Sequence, residues 1–101
     1  MATTTKTLFR GAATTTVGTT LYTVPSSTTT VVTSIVITNT AASSSTFTLA
    51  LGGTNLATTV TVGANDSTVL DLKQVLTTTQ TITGGASATT VNFHIAGVEI
   101  A

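Results

Sequence analysis

The sequence predicts an all-β fold: a single antiparallel β-sandwich of about eight short strands. Three observations predict it. Threonine fills 30 of 101 positions, and β-branched side chains, stiff at χ1, suit a pleated strand better than a helix. Turn formers recur about every 8–12 residues, the spacing of an antiparallel sandwich. Between them lie apolar runs in alternation, the longest being TTVVTSIVITNT at 29–40. Jelly-roll and immunoglobulin-like topologies satisfy this count equally.

Residues 1–6 have no periodicity and read as a flexible arm, with the sandwich over 7–101. The first strand spans 6–10, with Leu8 inward and Phe9 on the other face. Residues 11–18 are a loop of small residues. TTLYTV at 19–24 is the second strand, and Pro25 ends it because it cannot donate to a ladder. The third strand, 29–40, presents Val31, Thr33, Ile35 and Ile37 to the core in simple alternation. Its other face, with Val32 and Val36, is apolar enough to be partly covered as well.

NTAASSS at 39–45 is a loop of turn formers. Phe47, Leu49 and Leu51 alternate inward on the fourth strand. Gly52-Gly53 marks a hairpin, and Leu56, Thr58, Val60 and Val62 share one face of the fifth strand. Asn65 and Asp66 make a turn. Residues 67–72 form the sixth strand, after which Leu72, Val75 and Leu76 lie at i, i+3, i+4 and predict one short helical turn over 72–76. Residues 80–83 form the seventh strand, turned by Gly84-Gly85. Val91, Phe93 and Ile95 face the core on the last strand. Gly97 reads as a bulge that moves Val98 and Ile100 to that face.

Composition excludes several functions. Charged residues are 6% of the chain, three basic and three acidic, with net charge +0; mean hydropathy is +0.50. Three scattered cations cannot make a nucleic-acid footprint or a polybasic membrane patch. With no cysteine there is no disulfide, thiolate zinc site or thiol nucleophile. No apolar run approaches the ~20 residues of a membrane helix. The first residues lack the apolar core of a signal peptide, so synthesis in the cytoplasm of the producing cell is expected.

The chemistry-bearing side chains do not assemble into a site. His94 is the sole histidine and alternates with core residues, which places it on the outer face. Asp66, Asp71 and Glu99 are the only carboxylates. A glycosidase needs two of them about 5–10 Å apart, and nothing in their spacing argues it. Asp66 suits a turn-capping role. Tyr22 reads as a core-edge aromatic with its hydroxyl at the rim. No phosphate loop, nucleophile elbow or calcium loop occurs. No catalytic residue, metal or cofactor is expected.

LYTVP at 21–25, the TTVVTSIVITNT strand, the FTLALGG hairpin and the VLDLKQVL segment occur in that order. Together they resemble small virion proteins of tailed bacteriophages, over about residues 9–100. The resemblance implies a structural virion protein made in the host cytoplasm. It is similar in role to capsid decoration or cement proteins, or else to a tail or head-fibre module that binds a host surface or glycan. The implied partner is the major capsid protein or another virion protein. A low-charge surface also points to a homo-oligomer, with a trimer favoured by the resemblance. The expected contact residues are Ala2, Thr3, Thr4, Thr5 and Lys6 of the arm, with Arg10 close by.

Overall fold

The computed structural model describes residues 3–101. Eight strands follow one another: β1 (Thr3–Ala12), β2 (Thr20–Thr23), β3 (Thr29–Asn39), β4 (Ser45–Leu51), β5 (Thr54–Val62), β6 (Ser67–Leu76), β7 (Thr81–Ala86) and β8 (Val91–Ile100). They form two antiparallel four-stranded sheets. Sheet I has the order β1-β8-β3-β6 and sheet II the order β2-β7-β4-β5. First therefore pairs with last, second with seventh, third with sixth and fourth with fifth. That is a long hairpin rolled over on itself, the jelly-roll arrangement, and it separates the two topologies that the strand count left open.

The sheets close over one core. Its fully buried side chains include Val32, Ile35 and Ile37 of β3, Phe47 and Leu49 of β4, Ile82 of β7, and Val91, Phe93 and Ile95 of β8. Phe47 and Phe93 meet edge to face across the sheets, with centroids 6.4 Å apart, a geometry that the ring quadrupoles favour.

Bulges account for most departures from simple alternation. On β3 the register shifts between Val32 and Ser34, so Thr30 and Val32 face inward before the shift and Ile35 and Ile37 after it. The expected inward positions Val31 and Thr33 are instead half-buried on the outer side. The extra residues lie on β1, at Leu8, and on β3, at Thr33. β8 itself runs regularly past Gly97. Val91, Phe93, Ile95, Gly97 and Glu99 thus share the inner face, and Gly97 is no bulge. On β5 the register shifts twice against β4; Leu56 and Val60 are exposed and only Val62 is buried.

Three other expectations are corrected. No helical turn forms at 72–76: β6 continues to Leu76, because its last residues stay in the ladder with Thr30, Val31 and Val32. Leu72 packs on the core and Leu76 is buried, two strand positions of one parity, while Val75 is exposed. Gly84-Gly85 does not turn the chain. Both lie inside β7, where Gly84 faces Leu49 and Gly85 lies under the backbone of Thr16, and a Cβ at either would overlap those atoms. Gly52 and Gly53 do make the expected turn, with φ of 59° and 81°.

The third correction concerns the arm. Thr3, Thr4, Thr5 and Lys6 belong to β1, paired with Ile100, Glu99, Val98 and Gly97. The expected flexible segment is an edge strand, and Ala2 lies outside the described residues. These side chains are exposed, so the ladder's backbone bonds hold the segment without leaving any apolar period in the sequence.

Candidate functional site

The polar side chains gather at the two ends of β3. At its start, Thr30 faces inward beside Glu99 of β8. Tyr22, on β2 of the opposite sheet, reaches across. Its hydroxyl donates to Glu99 Oε2 and is 2.9 Å from Thr30 Oγ1. Lys6 completes the group from edge strand β1, its Nζ 3.4 Å from each carboxylate oxygen of Glu99. The Glu99 side chain is 15% exposed and that of Lys6 is 47% exposed. One carboxylate therefore ties three strands and both sheets together at an open mouth.

The electrostatics follow from burial. The Tyr22 hydroxyl is pushed above its ordinary pKa, first by desolvation and then by its bond to the Glu99 carboxylate; the Thr30 bond opposes this. Ionising the phenol would set a second anion against Glu99. The group is thus a neutral donor holding a carboxylate, with the ammonium of Lys6 at the solvent side.

At the far end of β3 the polar residue is Asn39, fully buried. Its Nδ2 donates to the carbonyls of Ser43 at 2.8 Å and Gly63 at 3.2 Å. Its Oδ1 accepts from Ala41 N at 3.1 Å and Thr90 Oγ1 at 3.3 Å. Three loops are pinned by one amide. Among the described residues no buried side-chain polar atom lacks a partner.

The other candidates stay apart. His94 is exposed and pairs with Arg10 across the β1–β8 ladder. Asp71 is exposed on β6, opposite Ser34. β3 lies between Asp71 and Glu99, and the two carboxylates belong to opposite faces of sheet I. Asp66 Oδ1 accepts from Ser67 N at 2.8 Å, next to Asn65 at φ 52°, which is the turn role its sequence position implied. Among the described residues no group of three or more His, Asp or Glu could hold a metal ion. A shallow depression at the β1 edge, lined by Thr5, Thr7, Thr33 and Lys6 among others, offers hydroxyls and one cation but no second titratable group.

Glu99 and Asn39 escaped the sequence reading. Unbroken alternation from Val91 to Glu99 was the available signal for Glu99; assigning a bulge to Gly97 turned it outward. No family model matches the chain, and no curated protein matches it.

Proposed function

We propose that this chain is a non-enzymatic structural protein of a virus particle, a capsid decoration protein that binds the outer shell of a tailed phage. The proposal extends the resemblance of the LYTVP, TTVVTSIVITNT, FTLALGG and VLDLKQVL segments. One observation carries it. Large apolar side chains are exposed in three separate regions: Val17 in the β1–β2 loop, Leu56 and Val60 on β5, and Val69 and Val75 on β6. A chain with six charges in all has little else to guard these patches. A particle subunit has a use for several contact faces; an enzyme needs one cleft with converging polar groups.

The competing module, a fibre that binds glycan, needs exposed aromatic platforms. Tyr22, Phe47 and Phe93 are buried and Phe9 is partly buried, so geometry favours the shell. The test is quantitative mass spectrometry of purified particles. Hundreds of copies per particle are expected for a shell protein. A dozen or fewer would move the chain to the tail, and its absence from particles would remove the reading.

A further inference from the structure

The two sheets present different outer faces. The outer positions of sheet II are mostly threonine and glycine: Thr46, Thr48, Thr81, Thr83 and Gly85. The β1–β2 loop closes over part of that face, its Thr16 backbone lying against Gly85. Sheet I is otherwise. Its outer positions run in cross-strand rows. One row reads Thr5, Val98, Val31, Val75; the next Thr7, Ala96, Ser34, Asp71; the next Arg10, His94, Val36, Val69. Among the described residues no strand covers them. Val69 and Val75 are 63% and 61% exposed. An antiparallel sheet with one solvated face ordinarily alternates apolar-in with polar-out; this one carries five valines, Val31, Val36, Val69, Val75 and Val98, among the polar residues of its outer face.

We infer that the outer face of sheet I seats a second copy of this chain, related by a two-fold axis parallel to the strands. The rows select that operator. It lays β8 of one copy over β3 of its partner, so Val98 meets Val31, and it lays β1 over β6. Arg10, on the β1 edge, then lies within one row of the carboxylate of Asp71 on the other copy, and the contact occurs twice, as a two-fold requires. An axis across the strands would set β1 on β1 and β6 on β6, leaving Arg10 of one copy three strand spacings, about 14 Å, from Asp71 of the other. Lys73 lies between Val75 and Asp71 on the same outer face of β6, opposite β1 of the other copy.

The size is sufficient. Four strands about 4.8 Å apart and about ten residues long give a face of roughly 19 by 30 Å. Two such faces cover on the order of 1,200 Å² before side-chain relief is counted, which enters the range of specific interfaces. The sheets would pack as aligned sandwich layers do, about 10 Å apart. The result is a four-layer dimer, in place of the trimer that the virion resemblance implies.

Sedimentation velocity on the purified full chain tests this, with circular dichroism as the check on folding. Wild-type protein is expected to sediment as a dimer. Val69→Lys with Val75→Lys, both at exposed positions, is expected to weaken dimerisation at least about tenfold with the circular dichroism spectrum unchanged. Arg10→Asp and Asp71→Arg are each expected to weaken it severalfold, and the two together to restore it. A monomeric wild type, or a dimer or trimer indifferent to the lysine pair, would overturn the inference. The outcome is independent of the virion reading: a dimer absent from particles keeps this interface, and a monomer found on particles keeps the other.

Discussion

The two ends of β3 solve the same problem with different chemistry. Asn39 and Glu99 each bring a polar side chain into an apolar sandwich, roughly 30 Å apart at about 3.3 Å per residue. Asn39 is neutral and fully buried, and both its amide atoms are bonded to loop groups. Glu99 keeps a path to water and takes donors from Tyr22 and Lys6. A buried amide needs only partners, whereas a buried carboxylate also needs solvent or a counter-charge to offset desolvation. The closed end can therefore be sealed and the open end cannot.

That contrast sets the order of expected losses. Asn39→Ala strands the Ser43 and Gly63 carbonyls, the Ala41 N–H and the Thr90 hydroxyl. At about 1–3 kcal/mol for each buried group left unmade, part of which water recovers at the loops, the expected cost is about 3 kcal/mol. Urea unfolding measures it. Asn39→Asp is expected to cost at least as much, since a carboxylate cannot donate to the two carbonyls. A loss under about 0.5 kcal/mol for either variant would show that the closed end is held by its apolar neighbours alone.

Tyr22→Phe attacks the open end and is expected to cost about 1–2 kcal/mol, the worth of a hydrogen bond to a charged group. It also has a pH signature. Tyr22 is raised above 10 in the fold, so the folded chain holds that proton after the unfolded chain has lost it. The stabilisation is fully present below about pH 10 and is lost as pH rises through the folded pKa. The difference in stability between wild type and Tyr22→Phe should therefore shrink on the alkaline side and stay flat from pH 6 to 9. A phenolate absorbance titration with its midpoint at or below 10 would contradict the assignment.

How far the sequence disclosed this is uneven, for physical reasons. Ile35, Ile37, Phe47, Leu49, Val91, Phe93 and Ile95 were legible as core because each lies in an unbroken alternating run. Bulges are not legible in this way. The extra residues at Leu8 and Thr33 change parity without changing composition, so Val31 and Val32 exchanged faces. Gly84 and Gly85 look like a turn by residue type, yet they are required by close approach within a strand. The open end was lost through a single parity step at Gly97. Thr3–Lys6 has no pattern to read because backbone pairing, not side-chain burial, orders it.

The smallest effect is expected at Lys6, and it tests whether the open end is electrostatically closed or merely capped. The Lys6–Glu99 pair spans 3.4 Å, with the ammonium side chain nearly half exposed. Solvent screens such a pair, and exposed ion pairs contribute about 0.2–1 kcal/mol. The segment Thr3–Lys6 keeps its ladder with β8 whatever stands at position 6. Lys6→Met should therefore cost less than about 1 kcal/mol and leave far fewer traces in hydrogen exchange than Tyr22→Phe. The wild-type advantage should fall as salt rises to about 0.5 M, where the Debye length is only about 4–5 Å. Glu99 would still hold Tyr22, because that bond lies on the inner side. A cost of several kcal/mol, with exchange protection lost along the whole of β1, would mean that the carboxylate depends on Lys6 rather than on Tyr22. The two ends would then differ less than their burial suggests, each being held by a single indispensable partner set.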